Sequence, residues 1–149
     1  MLANVLDQIQ DKPHAAPMPI EVLDFLHANK IPQDIIEDLK ASSYSEWIQI
    51  GSLSLLPIPK LIEQTEGISP CLENGYLVLA GGANGDPVAV HRDTRRMVFI
   101  SHDRLYEEPE NFLACVHETP YLYEEFWERV IAEAEFPWDY YEAKDRWPC

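Results

Sequence analysis

Cationic residues are scarce in this chain. Only 11 Lys and Arg stand against 26 Asp and Glu in 149 residues, a formal net charge of −15. A surface of that sign repels nucleic acid and anionic membranes; it either attracts basic partners or serves solubility alone. Cysteine is sparse too. Cys71, Cys115 and Cys149 are odd in number and far apart, so they match neither a disulfide framework nor the close pairs of a zinc site, and reduced thiols in the cytoplasm are expected. No apolar run approaches the ~20 residues of a membrane span. The opening residues, Met1 to Asp7, place no basic segment ahead of an apolar one, so no signal peptide is expected.

What is present suffices for one domain over residues 1–149. Apolar residues make up 46% of the chain, enough for a core of ordinary size. The charge is uneven: residues 103–149 hold 13 acids and 4 bases, a net −9. The last third is the acidic end.

The hydrophobic period changes once along the chain. Leu2, Val5, Leu6 and Ile9 lie at helical spacing, residues 20–29 continue it, and Pro32 suits the first turn of a third helix carrying Ile35, Ile36 and Leu39. Strand alternation then takes over. Residues 47–50 and 53–56 flank Gly51-Ser52 as a hairpin, in a register that sets Ile50 opposite Leu53 and Ile48 opposite Leu55. Pro59 opens a short helix that Gly67 can close, and the Asn74-Gly75 turn leads into a strand over residues 76–80. A second hairpin follows, with strands 87–91 and 96–100 about a turn at Asp93-Thr94. A helix with Thr119 as N-cap and Pro120 in its first turn is expected to run to about Glu135, its inner face formed by Leu122, Tyr123, Phe126, Trp127, Val130, Ile131 and Ala134. Helices, then strands, then a helix predict an α+β fold with an antiparallel sheet.

Candidate sites are few. The stretch Gly81-Gly82-Ala83-Asn84-Gly85 looks like a phosphate loop, but Asp86-Pro87 stands where a P-loop needs Lys and Ser or Thr, so a turn using the backbone freedom of Gly85 is expected. His91 and His102 fall at opposite ends of the second hairpin, five or more strand steps of ~3.3 Å apart, too far to share an ion. Asp86 and His102 fall at the same end, where a structural hydrogen bond is expected. Cys115 and His117 sit two apart in an acidic stretch that disfavours a thiolate. No hydrolase elbow, metalloprotease helix or dinucleotide fingerprint occurs. No catalytic residue, metal or cofactor is therefore expected. Glu124, Glu125 and Glu128 line the outer face of the last helix, and Tyr140, Tyr141 and Trp147 follow in an aromatic tail. Together they form a candidate protein-binding surface; the tail aromatics fit an interface and packing against the body equally well.

In segment order the chain resembles the SUKH superfamily, the fold of yeast cell-wall glucan-synthesis regulators and of many bacterial immunity proteins. Ile31-Pro32-Gln33-Asp34 resembles its opening Leu-Pro-x-Asp helix, Gly85-Asp86-Pro87 its Gly-Asp turn into an apolar strand, and residues 98–103 its strand ending in His102-Asp103. Residues 53–63 resemble its strand, turn and helix, and Tyr123-Glu124-Glu125-Phe126 its closing helix. The resemblance spans about residues 20–135 and leaves the tail, 136–149, outside. It implies a non-enzymatic domain that binds another protein: a basic toxin, in that family often a nuclease or deaminase, that it neutralises in a tight complex, or, as the alternative, the partners of an intracellular regulatory or scaffold module.

Overall fold

A computed structural model describes residues 1–68 and 70–148. Three helices come first, α1 (Leu2–Leu6), α2 (Ile20–Ala28) and α3 (Gln33–Ala41), followed by strands β1 (Ile48–Ile50) and β2 (Leu53–Leu55). A 3-10 turn precedes α4 (Leu61–Glu66), and β3 (Tyr76–Gly81), β4 (Pro87–His91) and β5 (Arg96–Ile100) form the middle of the sheet. Then come α5 (His102–Glu107), a 3-10 segment (Pro109–Cys115), the edge strand β6 (Val116–Leu122), α6 (Tyr123–Ala132) and α7 (Tyr140–Arg146). The six strands pair in sequence order and antiparallel throughout, so the fold is an α+β domain built on a meander.

The first hairpin has the register that the sequence requires, with Ile48 opposite Leu55 and Ile50 opposite Leu53 about Gly51 at φ +57°. Its strands bury one face. The central strands bury both, which is why residues 76–80, 88–90 and 97–100 read as unbroken apolar runs. On one face Leu77, Leu79, Val88, Val90, Met97 and Phe99 meet the helices, with Ile35, Ile36, Phe126 and Trp127 among the fully buried partners. On the other, Tyr76, Val78, Ala89, Val98 and Ile100 form a smaller core closed by Leu56, Cys71 and Phe112.

The expected helix start at Thr119 is wrong. Residues 116–122 are the edge strand, and the Thr119 hydroxyl donates to the Met97 carbonyl at 2.8 Å across to β5 instead of capping a helix. Pro120, which lacks an N–H, is tolerated there because one side of an edge strand has no ladder partner. The N-cap is Leu122, three residues later, where the Glu125 carboxylate accepts from the Leu122 amide; the helix buries Tyr123, Phe126, Trp127 and Val130, while Ile131 is exposed and Ala134 lies beyond its end at Ala132. Gly67 closes α4 as expected, in a right-handed conformation with φ −64°.

The glycine loop between β3 and β4 has two distinct tasks. Gly85 takes φ +90°, with open space where a side chain would stand. Gly82 has the opposite constraint: a Cβ there would lie 1.9 Å from the Trp138 carbonyl oxygen. The loop grips the tail backbone at that point, and the Ala83 amide donates to the same oxygen at 3.0 Å. Gly85→Val is expected to cost about 1–3 kcal/mol through backbone strain alone. Gly82→Ala is expected to loosen the tail, visible as a rise in Trp138 fluorescence quenching by iodide. Thermal melts and quenching curves for the two variants separate strain from lost docking; an unchanged melt for Gly85→Val contradicts the turn assignment.

Candidate protein-binding surface

Asp86 ends the loop between β3 and β4, at the open end of the β4–β5 hairpin, and is fully buried. One carboxylate oxygen accepts from the His102 amide at 3.1 Å and from its ring Nδ1 at 2.5 Å; the other accepts from Asn84 Nδ2 at 3.1 Å and from the Tyr140 amide at 2.9 Å. Four donors saturate a carboxylate. The expected Asp86–His102 contact is therefore present, and it ties the first residue of α5 and the first of α7 to the sheet. His102 Nε2 lies 3.2 Å from the Asp103 carboxylate. Each ring nitrogen of His102 thus has a carboxylate as its neighbour. His91 sits at the far end of β4, its ring edge-on to Tyr76 with centroids 4.9 Å apart and its Nδ1 accepting from the Asp93 and Thr94 amides. The two histidines do not meet. Among the described residues no group of three or more His, Cys, Asp and Glu is placed to hold a metal ion.

A second polar network crosses the opposite end of the sheet. Arg95, at φ +66° in the β4–β5 turn, is paired with Asp34 of α3 at 2.7 Å and with Glu124 of α6. Hydrogen bonding to this guanidinium holds the Asp34 carboxyl below the usual carboxylate range. Beside it, buried Asp38 accepts from the Leu2 amide at 2.9 Å, the Ala3 amide at 3.2 Å and the Tyr123 hydroxyl at 2.5 Å. Asp38 is thus the cap of α1 supplied from another helix, a role that its helical position in the sequence does not reveal.

These contacts divide the candidate surface. Glu124 is engaged with Arg95 and Glu125 with the start of its own helix, so both have structural tasks; Glu128 is exposed with no ion-pair partner among the described residues. Tyr140 is not an exposed anchor. It is 2% accessible, and its hydroxyl accepts from Arg104 at 2.9 Å. Trp147 is half-buried, packed edge-on against Tyr121 and Phe136. The tail therefore folds back on the body, with Tyr141 and Trp138 left about half exposed. Cys71 is fully buried, which pushes its thiol up to about 12, and burial also raises Cys115; Cys149 lies outside the described residues.

The sequence reading missed α5 and the segment after it. Ser101 is a helix N-cap, its Oγ accepting from the Arg104 amide at 3.2 Å, and Pro109 stands shortly after the end of α5. That pairing of cap and stop was the available signal. Leu105 and Phe112 face the second core, whereas Tyr106 is 90% and Leu113 65% accessible. Beside Leu113 a groove of about 410 Å³ is walled by Glu73, Asn74, Pro109 and Glu110. A larger groove of about 690 Å³ runs along β6, with Arg96 and Arg146 in its wall.

No family model matches this chain, and no curated protein and no solved structure matches it.

Tyr123 offers a test of the buried network. Burial first, and then the negative charge of Asp38, raise its hydroxyl well above the ordinary phenol value of 10.0. The folded state holds that proton more tightly than the unfolded state, so the stabilisation is complete below about pH 10 and is lost as pH rises past it. Melting temperatures of the wild type are expected to fall more steeply above pH 10 than those of Tyr123→Phe. Parallel curves for the two proteins would show that this phenol contributes nothing to alkaline unfolding.

Proposed function

We propose that this chain is a non-catalytic binding domain that captures a basic protein, acting as an immunity protein that neutralises a cognate toxin in a one-to-one complex. The observation that carries this reading is the excess of uncompensated carboxylates. Among the described residues only Asp34, Glu37, Asp86, Asp103, Glu124 and Glu133 lie within ion-pair distance of a basic or histidine side chain. The remaining acids far outnumber the bases outside these pairs, and a net negative field of that kind steers a basic partner and raises its association rate. The SUKH resemblance of residues 20–135 agrees with this role, and the Asp86–His102–Asp103 arrangement offers no nucleophile for a catalytic alternative.

The test is co-expression with the product of the adjacent gene. The expected outcome is restored growth of a host poisoned by that product, and a purified one-to-one complex. Its association rate should fall roughly tenfold or more as salt is raised from low to physiological strength. A neighbour that is not toxic, together with several weak partners, would favour the regulatory module.

A further inference from the structure

Tyr106 and Leu113 are the most exposed large apolar side chains of the chain's described residues, and neither has a structural task. They sit on consecutive elements that pack against each other, α5 and the 3-10 segment Pro109–Cys115. Leu105 and Phe112, their immediate neighbours, already anchor that pair to the second face of the sheet. The surround is acidic: Asp103, Glu107, Glu108, Glu110 and Glu73 are all exposed, and of these only Asp103 has an ion-pair contact, with His102, among the described residues. Arg104 is the one base in residues 103–113, and its guanidinium donates to the Tyr140 hydroxyl at 2.9 Å.

We propose that this surface, with Tyr106 and Leu113 as apolar anchors and the groove beside Leu113 as the receiving site, is where the partner docks. The partner is expected to present a cationic segment, Lys or Arg flanking an apolar side chain. The inference rests on the binding role proposed above and names the surface that performs it. Exposed apolar groups ringed by charge are the arrangement of an interface core and rim, the first governing complex lifetime and the second the encounter rate. The groove, about 410 Å³, accommodates one or two side chains. The larger groove along β6 is the poorer site for such a segment, because Arg96 and Arg146 outnumber the one carboxylate in its wall, Glu118. The outer face of α6 is poorer as well, because Glu124 is already neutralised by Arg95. A second copy of this chain brings the same five carboxylates to the contact, and like charges facing each other disfavour it.

The probe is a labelled peptide in which lysines flank a central leucine, with a glutamate-for-lysine version as control. It is titrated into the isotope-labelled full chain and followed by amide chemical shifts. The expected shifts cluster in residues 103–113 and at Glu73. Tyr106→Ala with Leu113→Ala is expected to weaken binding roughly tenfold or more while the melting temperature holds, because both side chains are exposed. Glu107→Lys with Glu108→Lys should abolish the salt dependence, and the equivalent reversal of Glu128 and Glu135 should not. Shifts that map to α6 or to the β6 groove overturn this surface and leave the basic-partner reading standing. Absence of binding by the lysine peptide anywhere on the chain removes that reading and this one together. Self-association in sedimentation, lost in Tyr106→Ala, would assign the patch to a second copy and contradict the proposed occupant.

Discussion

The structure depends on one buried carboxylate. Asp86 stands at the end of a hairpin where three chain segments converge. The loop before β4, the start of α5 and the start of α7 each donate to it. A carboxylate taken out of water is costly unless every lone pair is used, and here four donors use them. Replacing it leaves several donors unpaired in the interior at about 1–3 kcal/mol each, so the residue at this position is tightly constrained. Gly85 and Gly82 belong to the same junction: the first bends the chain to place Asp86, and the second clears room for the tail carbonyl that Ala83 then binds.

The sheet is used unequally on its two sides. One face carries the main core under α1, α2, α3 and α6, and its polar links, Asp38 and Arg95, fasten helices to one another and to the β4–β5 turn. The other face is closed by short elements whose outward side chains stay exposed. The helical side is thus a rigid body, and the other side leaves apolar and acidic side chains accessible. The acidic charge that stood out in the sequence falls largely on the other part of the chain, after residue 102.

Much of the fold was legible because its signals are local. Period-two alternation and Gly51-Ser52 set the first hairpin to the residue, and Asp93-Thr94 set the second. The failures share a cause. Thr119-Pro120 carries a valid helix-start pattern, but pairing with β5 holds the segment extended, and no local pattern records that partner. Tyr140 and Trp147 have the composition of interface anchors, yet contacts 30 or more residues away in sequence, to Asp86 and His117, draw the tail inward. The Asp86–His102 bond was legible because the hairpin register alone brings the two to one end. Tyr106 and Leu113 were not, because the exposure of one apolar residue beside a buried one is decided only when the element docks.

The central claim is that the carboxylate of Asp86 makes the C-terminal tail part of the domain. Native-state amide exchange of Asp86→Asn, a change of charge and hydrogen-bonding pattern at nearly constant volume, tests it most directly. The amides of Tyr140 and the rest of α7, with that of His102, are expected to exchange roughly ten- to a hundredfold faster, while Val78 and Phe99 in the sheet centre keep their protection. Tail amides that exchange at the wild-type rate, with the sheet equally unchanged, would contradict it.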